Sequence, residues 1–113
     1  CKMADRGQIK GGILDGPLAF DNAVSLHAAR IKNISSAVAG DADILVCPDL
    51  ESGNMLAKQL EYLAGATGSG LVLGARVPIA LTSRADGPAT RVASALLALL
   101  AAHKNRATAA LKN

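Results

Sequence analysis

Between Ile79 and Lys104 an apolar run passes through one short turn into a long apolar helix, and that junction constrains the fold more than any other stretch. Ile79, Ala80, Leu81 and Thr82 are β-prone, Ser83-Arg84 ends the run, Ala85-Asp86-Gly87 turns, and Pro88 opens the helix. Proline suits a first helical position because the N–H it lacks would have no intrahelical partner there. The helix predicted over about Pro88 to Lys104 carries Val92, Ala93, Leu96, Leu97, Leu99 and Leu100 and has no wet face. Such a helix is expected to be covered on several sides, by a second subunit or a further domain. In open α/β sheets ligands bind beyond the carboxyl ends of the strands. Ser83, Arg84 and Asp86 place a hydroxyl, a guanidinium and a carboxylate at such an end. Together they suit an anionic substrate, because the planar guanidinium matches phosphate oxygens bidentately.

The same alternation of strand-like and helical segments runs through the rest of the chain. Ile13-Leu14 reads as a strand end that enters the turn Asp15-Gly16-Pro17. Asp21 or Asn22 is predicted to cap a helix over Ala23–Lys32, with Val24, Ala28 and Ile31 on one face. Ser35–Asp43 is a loop of small and acidic residues. Ile44–Cys47 is a continuous apolar run, the pattern of a strand buried on both faces, and Pro48-Asp49 stops it. A helix is predicted over about Ser52 to Leu63, with Leu56, Leu60 and Leu63 on one side and Lys58, Gln59 and Glu61 on the other. Gly65–Gly70 ends that helix, Leu71–Leu73 is a second buried-type strand, and Ile79–Thr82 is the last. Asn105–Asn113 reads as a fraying or solvated tail. Strands alternating with helices predict an α/β fold with a largely parallel sheet flanked by helices.

Composition removes several classes of function. The chain has 113 residues, enough for one domain with a modest core. Phe20 and Tyr62 are its only aromatic side chains, so aliphatic packing supplies that core. The formal charge of +3 is scattered, and no basic stripe is interleaved with aromatics, so nucleic acid is set aside. Cys1 and Cys47 form no framework; Cys47 is expected to be buried and inert, in keeping with a reducing, cytoplasmic setting. No segment reads as a signal peptide, and the uncharged apolar run Val92–Ala102 is too short to span a bilayer. His27 and His103 have no metal-ligand spacing with each other or with either cysteine, so both are read as surface helix residues and no metal is expected. The chain begins at Cys1 rather than at a methionine, so a fragment or processed product is expected.

Each candidate site has a plain structural reading beside its functional one. Asp15-Gly16-Pro17 with Asp21 is a turn and a cap, or Asp15 faces a cleft from a strand's carboxyl end. Asp49, in Pro48-Asp49, caps the next helix, or the amides of that helix start and the bare backbone of Gly53, beside Asn54, receive an anion. A carboxylate at the same place opposes an anion, and both readings stay open. Gly65–Gly70 resembles a nucleotide loop in composition, but it follows a helix and precedes a strand, the wrong order for such a loop, and reads as a helix C-cap and turn. Asp86 or Gly87 is read as the cap of the last helix. Arg84 is the better functional candidate, a lone cation at the end of an apolar strand.

The order of these motifs carries more information than any one of them. DGPLAFDNAVS (Asp15–Ser25), VAGDADILVCPDLESGN (Val38–Asn54) and GLVLGARVPIALTSRAD (Gly70–Asp86) resemble the phosphate acetyltransferase and phosphate butyryltransferase family over about Gly12 to Ala102. The TSRAD form looks nearer the butyryltransferase-like branch, and is also similar to the acyltransferase part of proteins fused to an enoyl-CoA hydratase-like domain. The resemblance implies reversible acyl transfer between coenzyme A and inorganic phosphate, with no tightly bound cofactor. It implies a two-domain α/β fold like that of the isocitrate and isopropylmalate dehydrogenases, typically dimeric, with the cleft between the domains. This chain looks like the C-terminal part: residues 12–78 in the second domain, 79–104 a segment returning toward the first, and 105–113 a tail. By position, Ser83 and Arg84 match the family's Ser-Arg pair, with Arg84 on the phosphoryl group and Ser83 donating to the leaving atom. The acetyltransferases carry an Asp six residues beyond that Arg as base; here the position is Thr90, and Asp86 is the carboxylate close by. Asp15, Pro48, Asp49, Gly53 and Asn54 match positions near the cleft and are read as substrate-binding. The alternative is a non-catalytic coenzyme A- or phosphate-binding or oligomerisation module of the same fold. A dehydrogenase-like enzyme is a third reading, without a dinucleotide fingerprint or a carboxylate cluster to support it.

Overall fold

A computed structural model describes residues 1–110 and divides into two compact units, Cys1–Pro48 and Asp49–Asn113. The first unit holds three short helices: α1 (Lys2–Asp5), α2 (Phe20–Val24) and α3 (Leu26–Ile31). The single helix predicted over Ala23–Lys32 is thus two, broken at Ser25, whose backbone is extended (φ −131°, ψ 109°). Its hydroxyl oxygen accepts from the Ala28 amide at 3.3 Å and starts α3. Serine offers the backbone such local alternatives to a continuous helix. Asp21 and Asn22 consequently lie inside α2 and do not cap it; Ala19 is the N-cap. The Asp21 carboxylate pairs instead with Lys32 Nζ at 2.7 Å. The buried apolar positions described in this unit are Ala23, Ala29 and Ala39.

The strands expected at Ile13-Leu14 and Ile44–Cys47 do not form. Ile44 and Val46 are 80% and 91% exposed, and Cys47 is half-buried rather than buried. An apolar run marks where a strand is possible, but a strand exists only where a neighbour takes its N–H and C=O groups.

The second unit runs α4 (Leu50–Ala64), β1 (Gly70–Val72), β2 (Ile79–Leu81) and α5 (Pro88–Ala110). Helix α4 ends as predicted at Gly65, in the left-handed conformation (φ 67°) that lacks a Cβ penalty only in glycine. The Ala66 amide donates to the Leu60 carbonyl at 3.0 Å. Strands β1 and β2 pair antiparallel, Gly70 opposite Leu81 and Val72 opposite Ile79. The described residues are therefore α/β, but their one sheet is a two-stranded antiparallel pair and not the parallel sheet expected. The connection 73–78 explains this, since a parallel return needs a crossover of about a dozen residues or more. Helix α5 packs against both strands. It also continues past Lys104 to Ala110, so the tail expected from Asn105 is helical that far; residues 111–113 lie outside the described residues.

Ser94 is the fully buried centre of this unit. Its hydroxyl accepts from the Gly70 amide at 3.0 Å and donates to the Thr90 carbonyl at 2.9 Å, tying β1 to α5. Elsewhere on the described part of α5, Val92, Leu96, Leu99 and Leu100 are all more than half exposed. Contiguous exposed apolar faces of this kind commonly mark interaction surfaces. Light scattering at about tens of micromolar is therefore expected to give a mass above the monomer, and a clean monomer would contradict this.

Candidate active site

The turn that leaves β2 is closed by its own side chains. The Ser83 amide donates to Asp86 Oδ2 at 2.6 Å, the Asp86 amide returns to the Ser83 carbonyl at 3.2 Å, and Ser83 Oγ accepts from the Ala85 amide at 3.5 Å. This is the reciprocal logic of a capping box, applied to a turn. Asp86 therefore does not cap α5. The first helical bond runs from the Arg91 amide to the Gly87 carbonyl at 3.2 Å, which makes Gly87 the cap of the two residues considered.

Arg91 holds the turn from the other side. Its Nε donates to the Asp86 carbonyl at 3.0 Å, and one terminal nitrogen donates to the carbonyls of Ser83 at 3.2 Å and Arg84 at 3.5 Å. Sequence reasoning passed over this residue, yet a signal was present. A cation in the first turns of a helix opposes the positive end of its dipole, so an arginine there needs another task. With the backbone pinned, the Arg84 side chain is exposed, and among the described residues no carboxylate pairs with it.

An open pocket of about 300 Å³ lies beside this turn. Asp86, Gly87, Ala89 and Thr90 form one wall, and Lys58, Glu61 and Tyr62 of α4 with Thr67 and Gly68 form the other. Lys58 Nζ pairs with Glu61 Oε2 at 2.6 Å and lies 5.9 Å from the centre of the Tyr62 ring. The hydrogen bond to Glu61, with the further negative charge of Asp86, raises the Lys58 ammonium above its ordinary pKa. The sequence pattern placed Lys58 and Glu61 only on the polar side of a helix. That they face the strand–helix turn depends on the path of residues 65–82, which no local pattern encodes.

The other predicted residues sit elsewhere. Asp49 is the N-cap of α4 and accepts from the Ser52 amide at 2.7 Å. The Ser52 hydroxyl, then that amide, hold the Asp49 carboxyl below its ordinary pKa. Gly53, half-buried, donates its amide to the Asp49 carbonyl at 3.1 Å, and Asn54 is exposed. Neither lines the pocket, and the capping role of Asp49 is the one its bonds express. A depressed folded-state pKa means that this cap stabilises α4 above the ordinary carboxylate range and is lost as pH falls through it. Exchange protection at the Ser52 amide is expected to drop on acidification below about pH 4, and a pH-independent protection would contradict the cap.

In the first unit Asp15 is exposed, with Oδ1 accepting from the Gly16 amide at 2.8 Å. The Ser36 hydroxyl, then the Gly16 amide, lower its pKa. Pro48 ends that unit. His27 and His103 are exposed on α3 and α5, as predicted. Among the described residues no three His, Cys, Asp or Glu side chains gather as metal ligands, and no helix is long and apolar enough to cross a membrane.

Known proteins place this turn and its flanks in context. The profile described as phosphate acetyl/butaryl transferase matches residues 1–99. A phosphate acetyltransferase of Rhizobium meliloti is 66% identical over 107 residues, 95% of this chain and 34% of that protein. One of Rickettsia felis is 71% identical over 97 residues, 86% of this chain and 28% of that protein. A phosphate butyryltransferase of Clostridium beijerinckii is 49% identical over 105 residues, 93% of this chain and 35% of that protein. Of these three the acetyltransferases share more identity with the chain. The chain spans about a third of the length of these relatives and matches a C-terminal portion of them. With 99 of 113 residues inside the match and the Ser-Arg turn within it, the chain belongs to the phosphate acetyl/butaryl transferase family.

Proposed function

We propose that this chain supplies one wall of the active cleft of a phosphate acyltransferase, which moves an acetyl or butyryl group reversibly between coenzyme A and inorganic phosphate. The observation that carries the proposal is the Ser83–Asp86 turn, pinned by Arg91 so that the Arg84 guanidinium stands free at the end of β2. A preorganised cation of this kind meets developing phosphate charge without reorganising at the moment of reaction.

In the direction of thioester formation, the coenzyme A thiol gives its proton to a carboxylate, for which Asp86 is the candidate on this turn. The thiolate attacks the carbonyl carbon of the acyl phosphate, and the C–O bond to phosphate breaks. Arg84 holds the departing phosphate, Ser83 Oγ donates to the leaving oxygen, and the proton ends on phosphate. A thiol of pKa about 8.5 needs only modest help to ionise. The acyl phosphate is already activated, so positioning and charge stabilisation suffice and the reaction needs neither a metal nor a redox cofactor. Asp15, Pro48, Asp49, Gly53 and Asn54 belong to the substrate-binding surroundings in this account. The enclosing architecture is the two-domain, parallel-sheet fold of the isocitrate and isopropylmalate dehydrogenases, working as a cytoplasmic homodimer.

A second reading, a coenzyme A- or phosphate-binding or oligomerisation module without catalysis, draws on Thr90, a pocket residue with no proton-accepting carboxylate. Thioester formation from acetyl or butyryl phosphate and coenzyme A, followed by absorbance, separates the two. The proposal expects turnover that requires both substrates, whereas saturable binding without turnover favours the module.

A further inference from the structure

We infer that Lys58 is a second cation for the phosphoryl group, held in position by Glu61, so that the pocket between α4 and the start of α5 is the phosphate subsite. The inference rests on the acyltransferase reading for its physiological ligand, and on the geometry alone for phosphate binding.

Four observations carry it. Lys58, in the middle of α4, lines the pocket opposite Asp86 and Thr90, beside the turn that presents Arg84. Lysine has three ammonium donors, and Glu61 Oε2 takes one at 2.6 Å, which leaves two for an incoming oxyanion. The facing wall includes Gly87 and the first residues of α5, the positive end of a 23-residue helix with amides that lack helical partners. Finally, a Cβ at Gly68 would run into Glu61 Oε1, so the glycine leaves room for the carboxylate to lie beside Lys58.

The opposing charges are those of Glu61 and Asp86. Asp86 already accepts the Ser83 amide, and Glu61 is neutralised by Lys58 itself. Arg84, on the adjoining turn, brings the charges of Lys58, Glu61, Asp86 and Arg84 to balance, and the helix end tips the region toward an anion. Glu61 is thus a positioning residue: it keeps an otherwise flexible ammonium at the pocket instead of in bulk water.

The chain contains one tyrosine and no tryptophan, so its intrinsic fluorescence reports Tyr62, which stands in the same pocket. Titrating the full chain with inorganic phosphate, with ionic strength held by chloride, is expected to change tyrosine emission saturably. Lys58→Met is expected to abolish that change, Glu61→Gln to weaken it at least about threefold, and Lys10→Met, at a position that is not among the pocket's lining residues, to leave it intact. Absence of a saturable change in the wild type, or its persistence in Lys58→Met with an unaltered midpoint, overturns the subsite. In the acyl-transfer assay, Lys58→Met is expected to raise KM for acyl phosphate at least about tenfold while KM for coenzyme A stays within about twofold. Unchanged KM values with normal turnover overturn the role of Lys58 and leave the acyltransferase reading standing. Phosphate binding through Lys58 without any acyl transfer does the reverse.

Discussion

Arg84→Ala is expected to lower kcat for acyl transfer at least about tenfold, a loss of about 1.4 kcal/mol of transition-state stabilisation. The guanidinium is exposed and has no carboxylate partner among the described residues, so its removal breaks no structural bond. The thermal midpoint is therefore expected to stay near the wild-type value, since surface changes away from structural features are worth about ±0.5 kcal/mol. Arg84→Lys is expected to recover only part of the rate, because an ammonium is a point charge and loses the bidentate match to phosphate oxygens. Steady-state rates with a melt on the same samples check this. Unchanged kcat in Arg84→Ala removes the residue from the mechanism, and a parallel collapse of the melt assigns it to folding instead.

A large effect on stability is expected at Gly70. An added methyl there meets the carbonyl oxygen of Leu81, its partner across the strand pair, and not the end of a movable side chain. Backbone has to shift, and the same shift disturbs the Gly70 amide bond to the buried Ser94 hydroxyl. Overpacking of this kind costs about 1–3 kcal/mol. In a domain of this size each kcal/mol lowers the midpoint by about 4–8 °C. Gly12→Ala is the control, because a Cβ there meets nothing within 4 Å. Equal melts for the two variants would contradict the strand–helix geometry on which the Ser83 turn stands.

Local chemistry was legible in the sequence where it is self-contained. Asp49 with Ser52, Gly65 after Leu63-Ala64, and Gly87-Pro88 before an apolar run each encode a helix boundary within a few residues. Helix α4 stops at Gly65 and α5 starts at Pro88 as the pattern placed them, while α4 starts at Leu50 rather than Ser52, directly behind the Asp49 cap. Chain direction in the sheet was also encoded, by the short connection 73–78, although the alternation of strands and helices suggested a parallel sheet. Ile44–Cys47 failed differently: its apolar pattern is real, but a strand needs a partner that the described residues do not provide. Serine at position 25 split a helix because one hydroxyl competes with the backbone ladder.

The candidate site was half visible. Ser83, Arg84 and Asp86 are contiguous, so one turn brings them together whatever the rest of the chain does. Arg91 was recoverable from its cost at a helix start. Lys58, Glu61 and Tyr62 approach that turn only because residues 65–82 fold back along α5, a non-local event with no signature in α4 itself. For the same reason the motifs in order, taken as a set, identified the family more firmly than any single one of them.

The most direct test of phosphate acyl transfer is exchange of radiolabelled inorganic phosphate into acetyl or butyryl phosphate catalysed by the full chain. Transfer through a coenzyme A thioester predicts label in the acyl phosphate only when coenzyme A is present, at a rate that falls at least about tenfold in Arg84→Ala. Exchange that proceeds equally without coenzyme A, or no exchange under conditions where phosphate binds, would contradict the account.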